Sequence, residues 1–357
     1  MNSRLLPAIV GVVLVAASAA VPSSVATAAP TASAPTASTG EVVDVKPTKS
    51  TLNAAQRHTN LFVASFQAEA GETRFVGTEL VVLDAKGTSP NEIFLGVTLS
   101  CKGPSGTVTS AEAGRNVWPA ASSFTIPVSF TFVTAEDGKY NCSTNVMMCD
   151  PGNCTSPTGT GTVRIVTQAM DPKSFSFLYI STALPSWAQS DRVPASGDKL
   201  VKPGGSLSIT DTFDASNAAG PVRIGAILSI TNCIEKSFPN ACKRAGATNP
   251  QGSSTVKLTL TLTQEVTTPG AECNTASAST ATGARSSKIT WQQHHAVFSI
   301  WVPDFELSTA DGCGQGVDVA LTVSAGKGNA VVVEAGSKAK ATSILYVIPG
   351  DTIPTSI

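Results

Sequence analysis

The feature that most constrains this chain is a spacing that occurs twice: Cys101 to Cys142 spans 41 residues, and Cys233 to Cys273 spans 40. Each pair brackets one long strand-like segment. In the first, Phe124, Ile126, Val128, Phe130 and Phe132 alternate with small or polar residues. In the second, Val256, Leu258, Leu260 and Leu262 alternate with Lys257, Thr259, Thr261 and Thr263. A period of two sends one set of side chains into a core and the other into water, the pattern of an antiparallel strand in a sandwich. Ahead of the first cysteine of each pair, EIFLGVTLSC runs alongside PVRIGAILSITNC. The expected fold is all-β: two tandem disulfide-stapled antiparallel β-sandwich domains, residues 41–190 and 191–357.

The N-terminus bounds the compartment. Arg4 precedes an apolar run from Leu5 to Ala20, followed by small residues that end in Ala26-Thr27-Ala28. A positive residue, an apolar stretch and an A-x-A site together predict a signal peptide over 1–28, cleaved after Ala28. The run is shorter than a membrane-spanning helix needs. Residues 29–40 form an Ala/Pro/Ser/Thr leader too poor in large apolar residues to fold. The chain is therefore expected to be secreted to the extracellular side. A formal net charge of −1, with Lys and Arg scattered, argues against nucleic acid or an anionic membrane as a partner, since both require a concentrated basic face.

Eight cysteines in an exported chain predict disulfides. Cys149-Asp150-Pro151-Gly152-Asn153-Cys154 places Pro and Gly at the centre of a type II turn, so its cysteines face each other across the turn. Two pairing schemes follow. One joins Cys149 to Cys154, Cys101 to Cys142 and Cys233 to Cys273, leaving Cys242 for Cys313. The other equates Cys154 with Cys313, because GTGTVRIV and GQGVDVAL follow them, and pairs Cys142 with Cys154 and Cys273 with Cys313. Turn geometry favours the first. Structural zinc wants two close ligand pairs, and Cys149-x4-Cys154 has no counterpart or nearby histidine, so neither metal nor cofactor is expected.

VTLSC, Trp118 and AEDGKYNC resemble the immunoglobulin pattern. In that family a cysteine on one sheet bonds to one on the other, and a tyrosine two residues before the second cysteine forms a corner. Tyr140 stands two residues before Cys142 here. The resemblance covers the first copy alone. It implies a sandwich with Cys101 and Cys142 joining its sheets, and it implies nothing about function.

Residues 184–204 are rich in turn and linker residues and mark the boundary between copies. Pro127 removes a ladder donor, so its strand should lie at an edge or carry a bulge there. Catalysis is poorly supplied. The three histidines are His58, His294 and His295, and no G-x-S-x-G elbow accompanies them. Neighbours on a strand point to opposite faces, so His294 and His295 do not share a metal without a bulge. Along the same strand Phe298, Ile300 and Val302 should face the core, leaving Trp291, Gln293, His295 and Trp301 on the other face. That second face has two readings, a ligand platform built on tryptophan or a packing surface against the linker or the other domain. Asp211 with Asp214, and Asp311 with Asp318, lack the ordered spacing of a calcium loop and read as surface turns.

The span between Cys273 and Cys313 is much longer than its counterpart in the first copy, which makes residues 274–312 the first place to look for a binding surface. The expected function is non-enzymatic binding to an extracellular protein or a cell-envelope glycan. The alternatives are a protease inhibitor presenting a braced loop such as Cys149–Cys154 or Cys233–Cys242, a subunit of an extracellular assembly, and a hydrolase whose site the sequence does not declare.

Overall fold

In the computed structural model, alternation of apolar and polar residues produces strands almost throughout. The structure describes residues 42–45, 58–87, 93–117, 124–149, 161–166, 177–182, 197–216, 218, 220–234, 242, 252–279, 288–291, 294–335 and 343–349. The expected signal peptide and leader, residues 184–196 of the expected boundary segment, and Trp118 and Cys154 lie outside these residues. Among the described residues no helix is long and apolar enough to cross a membrane.

The first sandwich contains β1 (Val42–Val45), β2 (His58–Ala68), β3 (Thr73–Gly87), β4 (Ile93–Lys102), β5 (Val108–Val117), β6 (Phe124–Val133), β7 (Gly138–Cys149), β8 (Gly161–Val166) and β9 (Phe177–Thr182). One sheet has the order β2-β7-β4-β5, and the other β1-β8-β3-β6 with β9 also on β3. The second sandwich contains β10 (Lys199–Val201), β11 (Ser206–Asp214), β12 (Val222–Asn232), β13 (Ser254–Val266), β14 (Thr275–Ser279), β15 (Lys288–Ile289), β16 (His295–Phe305), β17 (Cys313–Ala325), β18 (Val331–Glu334) and β19 (Ile344–Pro349). Its sheets run β10-β18-β12-β16 with β19 on β12, and β11-β17-β13-β14 with β15 on β13. All pairings are antiparallel. The segment read as linker therefore ends in a strand, since Lys199–Val201 pairs with β18.

The duplication is real in topology, with a different alignment from the expected one. The order β2-β7-β4-β5 repeats as β10-β18-β12-β16, and the pair β3-β6 repeats as β11-β17. In chain order, β2 through β7 correspond to β10, β11, β12, β16, β17 and β18. Thus β4 and β12 match, as the sequence suggested, but the counterpart of β6 is β17 rather than β13. The additional elements are β13, β14 and β15, residues 254–289, not the whole of 274–312.

That shift explains the cysteines. Cys101 and Cys142 are bonded, as expected. They sit opposite each other on the neighbouring strands β4 and β7, so the bond lies within one sheet and does not join two. Cys233–Cys273 and Cys242–Cys313 are overturned: Cys233 bonds Cys242, and Cys273 bonds Cys313. Cys233 follows β12, and its N–H donates to the Ala330 carbonyl next to β18. The place across from Cys233, occupied by Cys142 in the first sandwich, is taken by an alanine. Cys233 turns instead to a cysteine nine residues on. Cys273, beyond β13, closes onto the first residue of β17 because β13 and β17 are paired.

The sandwich core of the first copy includes Leu80, Leu95, Leu99, Ile126 and Phe130. Tyr140 forms the expected corner: its hydroxyl donates to the Glu136 carbonyl at 3.1 Å and accepts from the Glu136 N–H at 3.3 Å. Pro127 lies on β6, an edge strand, as expected. The second core includes Ile224, Leu228, Leu258, Phe298 and Leu321.

The two sandwiches are joined through a buried face. Ile227, Val297, Ile344, Tyr346 and Ile348 of the second belong to the same apolar cluster as the core of the first. The Phe75 and Tyr346 rings lie 4.8 Å apart across the joint. As a result β12 is buried at every position, and Thr73–Leu80 of β3 and Ile126–Phe132 of β6 are buried on both faces. The sheet containing β3 thus packs on the sheet containing β12, giving four stacked layers. The solvent face expected for the residues between Phe124 and Phe132 is covered by the neighbouring sandwich.

Candidate functional site

The strand expected to carry the ligand face, β16, is built as its pattern suggests. Ala296, Phe298, Ile300 and Val302 enter the second core. On the opposite face Val297 joins the first sandwich's cluster, so that face is an internal joint along much of its length. Trp291 is half-buried just ahead of the strand, and Trp301 is half-buried six residues beyond His295. Gln293 lies outside the described residues. The sequence marked a strand with two coverable faces, and the covering layer comes from more than a hundred residues away.

His295 is held at the joint. Its backbone N–H donates to Asn116 Oδ1 of β5 at 3.0 Å, and its ring meets Phe94 edge-on at 6.4 Å. Its Nδ1 lies 2.6 Å from Thr231 Oγ1 and 3.4 Å from Glu334 Oε1, and Thr231 itself donates to Glu334. A hydroxyl has one proton, so Thr231 accepts from Nδ1–H while it donates to the carboxylate. The arrangement looks like a nucleophile, base and acid, but both partners share one imidazole nitrogen and Thr231 is fully buried. A proton relay requires the two partners on different nitrogens and a nucleophile open to substrate. The cluster fastens β12, β16 and β18 to β5. His294 is buried beside it, its ring 4.4 Å from that of His295.

A second polar group lies deeper in the joint. Glu79 of β3, Arg223 of β12 and Tyr346 of β19 are all buried. Burial pushes the Glu79 carboxyl up to about 7, against the opposing pull of the Arg223 cation. Burial, and then the Glu79 charge, pushes the Tyr346 phenol far above its ordinary value. Arg223 Nε and Nη2, and Ser129 Oγ of β6, are buried without hydrogen-bond partners.

The most regular exposed surface is the outer face of the β11-β17-β13-β14 sheet. Core residues alternate with outward ones on all four strands. The register aligns the outward residues in rows across the sheet: Ser208, Thr322, Thr259 and Ser279; then Thr210, Ala320, Thr261 and Ser277; then Thr212, Asp318, Thr263 and Thr275. Strands about 4.8 Å apart, with outward residues about 6.8 Å apart along each, make this a regular lattice of hydroxyls. Within these rows Asp318 is the charged side chain, its Oδ1 accepting from Thr212 Oγ1 at 2.6 Å, while Lys257, Asp214 and Glu265 stand on the same face at the ends of the rows' strands. The alternation of Thr259, Thr261 and Thr263 with leucine was visible in the sequence as a wet face; the alignment of four such strands was not.

The acidic candidates remain scattered. Asp211 and Asp214 fall on opposite faces of β11, and Asp214 Oδ1 accepts from the Ser216 N–H at 2.8 Å, which holds its carboxyl below the usual range. Asp311 lies exposed in the turn before β17, away from Asp318 on the sheet face. Among the described residues, no three His, Cys, Asp or Glu side chains gather as a metal site.

No family model and no curated protein matches the chain. Among solved structures, the N-terminal CBM22-1-CBM22-2 tandem domain of Xyn10C from Paenibacillus barcinonensis aligns over 83% of this chain and 92% of its own, at 9% identity and a TM-score of 0.19. The infectious bursal disease virus Gx strain structure aligns over 88% of this chain and 77% of its own, at 11% identity and a TM-score of 0.18. Likenesses this slight assign neither a family nor a function.

Proposed function

We propose that this chain is an exported, non-enzymatic binding protein whose target is a cell-envelope glycan. The observation that carries the reading is the outer hydroxyl lattice of the β11-β17-β13-β14 sheet. Three rows of hydroxyl donors and acceptors, in which Asp318 is the one charge, match a repeating, uncharged polymer of hydroxyls better than they match a charged protein or nucleic acid. The three disulfides among the described residues agree with export, because an oxidising compartment maintains them.

The test is retention on purified, insoluble cell-wall polysaccharide, with Thr210→Glu combined with Thr261→Glu and, separately, Trp291→Ala combined with Trp301→Ala. Retention of the wild-type protein, reduced about tenfold or more by the threonine pair at an unchanged melting temperature, supports the lattice as the site (about 1.4 kcal/mol of binding). The tryptophan pair should lower the melting temperature and leave retention intact. Loss with the tryptophan pair alone moves the site to β16. Absence of wild-type retention overturns the glycan reading.

A further inference from the structure

We propose that the joint between the two sandwiches is a proton-sensitive latch, closed with a proton on Glu79 and loosened as the surroundings become more alkaline. Glu79 lies on β3 of the first sandwich, on the face that also carries Phe75, and looks across the joint. From β12 it meets Arg223, and from β19 Tyr346, both fully or almost fully buried. From β6 its cross-strand neighbour is Pro127, followed on the same face by Ser129 and Thr131, none of them charged. β9, which pairs with β3 on its other side, reads FLYIST, with Tyr179 its one titratable residue. The imidazole of β16 on the joint face, that of His295, is bound to Thr231 and lies 3.4 Å from Glu334. Among the described residues one guanidinium is thus the cation set against the Glu79 carboxyl, and its Nε and Nη2 have no hydrogen-bond acceptor there.

That arrangement determines the sign. A carboxylate between two apolar sheets loses its hydration, and Arg223 does not restore the loss, so the closed joint favours the neutral acid. The carboxyl is pushed up to about 7 in the closed form and returns to its ordinary 4.5 when the sheets separate and water reaches it. Below 4.5 the acid is protonated in both forms, and the joint has its full stability. Between 4.5 and 7 opening releases a proton, so the opening equilibrium increases about tenfold per pH unit. Above 7 the dependence levels off. The buried, unpartnered Ser129 Oγ and Arg223 nitrogens make the same plane the place where entering water gains most. This inference does not depend on what the hydroxyl lattice binds.

The test is the urea midpoint of the full chain between pH 4 and pH 8, with small-angle scattering at each pH. The wild-type midpoint should fall from pH 4.5 to 7 relative to Glu79→Gln, while the radius of gyration rises in the wild type alone. Arg223→Met should extend the same fall to higher pH, because removing the cation that opposes protonation raises the closed-form value and leaves the open-form value unchanged; it also keeps the latch testable if Glu79→Gln does not fold. A wild-type profile that parallels Glu79→Gln, or a fall in Arg223→Met that levels off at the same pH as in the wild type, overturns the proposal.

Discussion

β4 and β12 occupy the same place in their sandwiches, third in orders of the same form, and yet they live in different surroundings. On β4 the outward positions Thr98, Ser100 and Lys102 keep contact with solvent, and the strand alternates. On β12 the corresponding face carries Arg223, Gly225, Ile227 and Ser229, and none of it reaches water. The sheets stack head to tail, so the second sheet of the first copy covers the first sheet of the second copy. A duplicated fold therefore supplies two different environments to one design, and the sequence has answered with Thr98 in one and Ile227 in the other. The uncovered outer faces at the two ends remain polar, as terminal units of a stacked array need to be.

The comparison can be broken at matched positions. The largest effect is expected from Ile227→Lys, which puts an unpaired charge into the joint and should cost about 3–5 kcal/mol in urea unfolding. Thr98→Lys, at the matching exposed position, should stay within about 0.5 kcal/mol. Equal losses would mean that β4 is covered too. Next comes the staple. Replacing Cys101 and Cys142 together by alanine releases a 41-residue loop, and about 2–4 kcal/mol should be lost by thermal unfolding. The Cys233 and Cys242 pair closes a nine-residue loop and should cost less. The smallest effect sharpens the contrast between the two glycines. A Cβ on Gly225 would lie 2.4 Å from Tyr346 Cζ, in the packed joint, whereas one on Gly96 would lie 2.9 Å from the mobile end of Met147. Gly225→Val should therefore destabilise by about 1–3 kcal/mol, and Gly96→Val by less, read as urea midpoints.

Strand identity was legible from the chain, and so was the correspondence of β4 with β12, because the LG and IG segments lead to a cysteine in both. The correspondence of β6 with β13 was not. Both strands alternate leucine-like residues with small ones, and alternation reports that a strand has a buried face without reporting which strand it pairs with. The equal spacing of Cys101–Cys142 and Cys233–Cys273 reinforced that misreading. Once β13, β14 and β15 are recognised as an addition, Cys273 falls outside the repeat and bonds Cys313 instead. Likewise the tryptophan face of β16 was identified as a face, with a neighbouring domain among its possible covers, but no local pattern says that Asn116 and Phe94 meet His295 there.

By itself, then, the sequence determined the period-two strands, the all-β class, the corner at Tyr140 and the Cys101–Cys142 bond. The first three depend on residues close in sequence or on a signal repeated along one strand, and the bond on two cysteines 41 residues apart whose strands pair directly. Tertiary structure alone decided which sheet covers which, that Glu79 and Arg223 share one buried plane, and that four threonine- and serine-bearing strands align into a single lattice. Those outcomes arise from contacts between strands far apart in the chain. A strand's pattern fixes which side chains share a face, while the layer packed against that face is chosen by the whole molecule.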